Sequence, residues 1–114
     1  MSSTVTVDVL IAAKIAENSQ TTQYTSTNCK TIIDKFTATN YSAGAETLSV
    51  NLVTSADTAG NQNLIVKTRQ LAAGETYTFP EIVGQVLAAS GFISTIASAA
   101  TSITIRANGR KITG

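Results

Sequence analysis

Apolar and polar residues alternate along most of this chain, with a period of two. In "STVTVDVLI", Val5, Val7, Val9 and Ile11 share one parity, while Thr4, Thr6 and Asp8 share the other. That pattern predicts a strand with one buried face, because successive side chains leave a strand on opposite sides. "ETLSVNLVT" repeats it, with Leu48, Val50 and Leu52 inward and Thr47, Ser49 and Asn51 outward. In "LIVKTRQ", Leu64 and Val66 are expected inside and Lys67 and Arg69 outside. "TIIDKFTATN" reads as a strand closing near Asn40, and "ETYTF" as one that buries Tyr77 and Phe79. "FISTIAS" and "TSITIRA" are two more, the second burying Ile103 and Ile105. The polar, Thr-rich "SQTTQYTSTNCK" suits an edge strand or extended arm carrying Tyr24. "LIAAKIAEN" admits a short helix capped by Asp8, but continued strand is preferred. Residues 1–22 are therefore expected to be an extended N-terminal arm or an edge strand. Its segment Ser2 to Ile11 would either pair with a neighbouring sheet edge or form the first strand of the chain's own fold.

Turn chemistry separates these segments. "SADTAGNQN" is a loop, and Gly74 in "LAAG" supplies a positive φ. Asn108–Gly109 predicts a type I′ hairpin turn into "RKIT". Pro80, the only proline, follows a strand and suits the first turn of a helix. Glu81 then favours the positive helix end, and Ile82, Val83, Val86 and Leu87 make one apolar face. One short helix near residues 80–89 is thus expected to plug an open end of the fold. Seven or eight short strands, spaced at about 8–12 residues, indicate an all-β antiparallel β-sandwich. Sequence alone leaves jelly-roll and immunoglobulin-like topologies open. No repeat, charge block or linker divides the chain, so one domain is expected over residues 1–114.

Composition narrows the chemistry. Charged residues are only 13% of the 114, and Ser and Thr make up about a quarter. Polar but uncharged strands suit an outward face that meets another surface as readily as water. The net charge of +1 provides no general field to attract nucleic acid. No apolar run is long enough to span a membrane, and no basic stretch precedes an apolar block as in a secretion signal. With no histidine, the commonest general base, the usual triads and most zinc sites are missing. The lone Cys29 has no histidine to activate it, and the scattered glycines form no phosphate loop. Glu75 and Glu81 read as turn and helix-end residues rather than paired catalytic carboxylates. "NYS" at Asn40 to Ser42 matches a glycosylation pattern that carries little weight without a secretion signal. Arg106, Arg110 and Lys111 cluster around the expected last hairpin, either as a solvated face or as a contact for an acidic partner. No enzyme activity, cofactor or metal is expected. The residues argue for a binding or structural module, with Val5, Val7, Val9, Tyr24, Arg106, Arg110 and Lys111 as candidate partner contacts.

Three stretches occur in a telling order: "QYTSTNCKTIIDKFTATN", "AETLSVNLVT" and "LAAGETYTFPEIVGQVLAASGFISTIASAATSITIRANG". From about Gln23 to Gly109 this succession of strands and turns resembles small β-sandwich virion proteins of tailed bacteriophages. The resemblance implies a non-enzymatic particle component made in a bacterial cytoplasm. The place it favours is the capsid exterior, as a decoration or cement protein that bridges major capsid subunits. A homo-oligomer, dimer or trimer, would fit that role. Its alternatives are a neck-, tail- or fibre-associated structural protein and a carbohydrate-binding adhesion module. The family's roles vary, so no functional residue carries over.

Overall fold

The computed structural model describes residues 3–114, leaving Met1 and Ser2 of the expected arm outside the described residues. It is all-β. Among the described residues nine strands run in order: β1 Thr4–Ile15, β2 Thr21–Thr25, β3 Lys30–Asn40, β4 Glu46–Val53, β5 Leu64–Leu71, β6 Thr76–Thr78, β7 Val86–Leu87, β8 Phe92–Ala97 and β9 Ile103–Thr113. One sheet has the order β1-β9-β3-β6, with β7 also paired to β3; the other has β2-β8-β4-β5. Every pairing is antiparallel. The pairs are nested: first strand with last, β2 with β8, β3 with β6 and β7, and β4 with β5. A long antiparallel ribbon rolled up on itself has this order, and it is the topology of a jelly roll. Among the described residues no helix is long and apolar enough to cross a membrane.

The core lies between the sheets. Leu48, Val50, Phe79, Ile103 and Ile105 are fully buried and Val66 nearly so, as the alternation predicts. Leu52, Leu64 and Tyr77 are only half-buried, at the margins. Phe79 sits edge-on to both Phe36 and Tyr77, with ring centroids 5.3 and 4.8 Å away. Arg69, expected outside, enters the gap between the sheets and lies 3.9 Å over the Tyr77 ring. The cause is an irregularity at Thr68, whose φ is +44°, between the pairs Leu48–Arg69 and Val50–Val66. An extra residue there reverses the facing of the next side chain. Ser49 and Asn51 do point away from the core, yet they are buried. The loop before β5 covers them: Asn51 Nδ2 donates to the Gly60 carbonyl at 3.0 Å and to Asn63 Oδ1 at 2.8 Å.

Two local expectations fail for tertiary reasons. The helix expected near residues 80–89 is a single turn. The Phe79 carbonyl accepts from the N–H groups of Ile82 and Val83, and then Gly84, at φ +87°, directs its N–H to the Ile33 carbonyl of β3. Docking on β3 therefore ends the helical ladder, and β7 follows at once. Ile82 and Leu87 turn inward, while Val83 and Val86 are exposed. Asn108–Gly109 makes no hairpin but lies inside the continuous strand β9. Glycine is required there for space. A Cβ would collide with the backbone oxygen of Ile32, where β3 bulges between Ile33 and Lys35.

A candidate interaction surface on the outer sheet face

The expected buried face of β1 is only partly buried. Val5, Val7 and Val9 are 57%, 79% and 41% exposed, whereas Ile11 is in the core. Registers explain the split. From Thr4 to Val9, β1 pairs without a shift against Thr113 to Asn108, and then Leu10 is inserted before Ile11 pairs with Ala107. The bulge turns Leu10 and Ile11 to the core side and leaves the three valines on the outer side. β1 is thus an edge strand of the chain's own sheet, and its N-terminal half presents valines to solvent.

Directly opposed residues share a sheet face. Val7 faces Arg110, Arg110 faces Ile32, and Ile32 faces Val86. One row therefore crosses four strands, about 14 Å at ordinary strand spacing. A second row runs Val5, Ile112, Lys30. The outer face collects Val5, Val7, Val9, Ile32, Val86 and Ile112 into one apolar band. Cations border it. Arg106, Arg110, Lys30 and Lys35 lie on this side, with Asp34 as the one acid. Arg110 holds Asp34 with both its Nε and Nη2, the shorter contact being 2.8 Å, and the carboxylate raises the guanidinium's pKa. Each charge in that pair limits the other's freedom, so the surplus positive charge is carried by Arg106, Lys30 and Lys35.

Of the candidate contacts read from sequence, Val5, Val7, Val9, Arg106 and Arg110 come together on this face. Tyr24 and Lys111 do not. They lie on the core side of the same end, with Lys111 Nζ 5.6 Å above the Tyr24 ring and 3.0 Å from Asp8 Oδ2. The hydrogen bond and charge of Asp8 raise the Lys111 pKa, and Lys111 in turn holds the Asp8 carboxyl below its ordinary value. Tyr24 donates to or accepts from Thr31 Oγ1 at 2.7 Å, and burial pushes its pKa up. These two residues brace the structure. Sequence reading missed Ile32, Val86, Lys30 and Lys35, because only pairing through β3 places them beside β1. The signal available was "TIIDK", where two adjacent isoleucines exceed what one buried face needs.

Cys29 borders an open cleft of about 300 Å³ with Asn28, Lys30 and Ile112. Burial raises the thiol's pKa, and hydrogen bonds within the Ser26–Thr31–Tyr24 cluster outweigh it and leave the value lowered. Ser26 Oγ and Thr31 Oγ1, at 3.4 and 3.7 Å, are hydroxyls and cannot act as a general base for it. Glu75 accepts the Ala72 N–H of its own turn, and the Glu81 carboxylate accepts from the Tyr77 hydroxyl at 3.4 Å. Among the described residues no three acids or thiols converge on a point where a metal could sit. No family model, curated protein or solved structure matches this chain.

Proposed function

We propose that this chain is a non-enzymatic structural protein of a tailed-phage particle, a decoration protein that bridges neighbouring subunits of the major capsid protein from outside. The observation that supports the reading best is the outer face of the five-stranded sheet. It leaves valines of β1 41–79% exposed and, among the described residues, sets four cations amid and around them against one acid. Exposed apolar area with an arginine among it is the make-up of a protein-binding surface. The positive surplus favours an acidic partner surface. The particle context of this reading rests on the sequence stretches from Gln23 to Gly109 that resemble phage virion β-sandwiches.

The test is binding to separated heads and tails of a phage that encodes the chain. Binding to heads, lost in Val7→Asp and Val86→Asp proteins that melt like the parent, supports decoration. Binding to tails alone moves the protein to the neck or tail. Glycan binding that survives both substitutions would favour an adhesion module instead.

A further inference from the structure

β1 ends its sheet, so one of its two backbone edges has no strand beside it. The Val9 N–H identifies that edge. It donates to its own neighbour's carboxylate, Asp8 Oδ1, at 2.8 Å rather than to β9. N–H and C=O groups of alternate residues point the same way, so those of Val5 and Val7 face the open side as well, while Thr4, Thr6 and Asp8 bond to β9. The stretch Thr4–Val9 is in unbroken register, and Thr6 and Asp8 are exposed. Among the described residues no strand covers this edge, and only the Asp8 carboxylate, at the Val9 N–H, reaches it. The usual protections are nearly absent. There is no proline, and the one charge, Asp8, is occupied by Lys111.

We infer that the occupant of this edge is β1 of a second copy, antiparallel, about a two-fold axis at Val7. The segment complements itself in that register. Val7 faces Val7 of the second copy, Val5 faces its Val9, and Thr6 faces its Asp8, so no like charges oppose. All three valines of each copy stay on one face. The two Val7 residues exchange N–H···O bonds, and each Val5 N–H reaches the Val9 carbonyl of the other copy. Each Val9 N–H remains with Asp8. The result is a closed, isologous dimer with one continuous sheet, whose outer apolar band is doubled. It does not depend on what that band binds, and it is tested on the isolated protein.

Sedimentation equilibrium over a hundred-fold concentration range should show a monomer–dimer equilibrium. Val7→Pro removes an N–H that faces the open edge and leaves the ladder to β9 intact. It should weaken the dimer at least ten-fold with little change in melting. In a Cys29→Ser background, Val7→Cys should form an intermolecular disulfide across the axis, where facing Cα atoms lie about 5.5 Å apart. Val5→Cys, which faces position 9, should not. A protein that stays monomeric, a trimer, or a disulfide that forms as readily at position 5 as at position 7 would overturn the inference. The cross-linking result decides the matter even if the proline variant fails to fold.

Discussion

Asn40 shows how much one buried side chain can hold. Its Nδ2 donates to the carbonyls of Gly44 and Leu71, at 2.8 and 2.9 Å, and its Oδ1 accepts from the Ser42 N–H and hydroxyl. One amide thus ties the β3–β4 turn to the end of β5 in the opposite sheet. Its match to a glycosylation pattern is fortuitous, since the group is fully buried and fully bonded. Asn40→Ala is expected to cost about 2–4 kcal/mol in chemical denaturation, because each orphaned buried group costs about 1–3. Gly109 makes a second case. Gly109→Ala must displace the Ile32 backbone and should destabilise by about 1–3 kcal/mol. Gly44→Ala is the control: a Cβ there meets nothing within 4 Å, and the change should be neutral or slightly stabilising.

At the scale of elements, β1 has two halves with different work. Leu10 and Ile11 belong to the core, while Val5, Val7 and Val9 do not. A chain lacking residues 1–8 should still melt cooperatively, and one lacking residues 1–11 should be severely destabilised. Val5→Ser and Val7→Ser should change stability by no more than about 0.5 kcal/mol, as for other exposed sites. The Asp8–Lys111 pair fastens this half to β9 and gives a pH signature. Asp8 titrates below its ordinary 3.8 in the folded chain, so its contribution is present above that value and is lost as pH falls through the folded one. Melting temperature should therefore drop on acidification from about pH 5 to about pH 3, and Asp8→Asn should reduce the drop. The effect will be small, since the carboxylate is exposed.

For the whole molecule, the nested pairing has kinetic and electrostatic consequences. β1 can form its sheet only after β9 has arrived, with about a hundred residues between Thr4 and Thr113. Such non-local pairing is slow, and stopped-flow refolding should fall in the millisecond-to-second range of β-sandwiches. The net charge of +1 conceals a polarised surface: among the described residues four cations and one acid face outward from one sheet. If that face meets an acidic capsid surface, binding should weaken as salt rises through physiological strength, whereas exchange of salt at constant pH should leave the self-pairing of β1 nearly unchanged.

The sequence by itself determined the class of fold and most strand positions, because a period-two pattern survives only where one face is buried. It also supplied the valines of β1 and the arginines of β9 as candidates for contact. What it could not determine was facing after an irregularity. A single inserted residue at Leu10, Thr68 or the β3 bulge reverses every side chain beyond it, and no local pattern marks where such an insertion falls. The same limit applies to glycine, whose role at Gly84 is a left-handed turn and at Gly109 the absence of a side chain beside another strand. Tertiary structure alone chose the jelly roll over the immunoglobulin-like order, since that choice lies in which strands pair across the chain. It alone set Ile32, Val86 and Lys30 beside Val5 and Val7, because neighbours across a sheet are fixed by hydrogen-bond register and not by distance along the sequence.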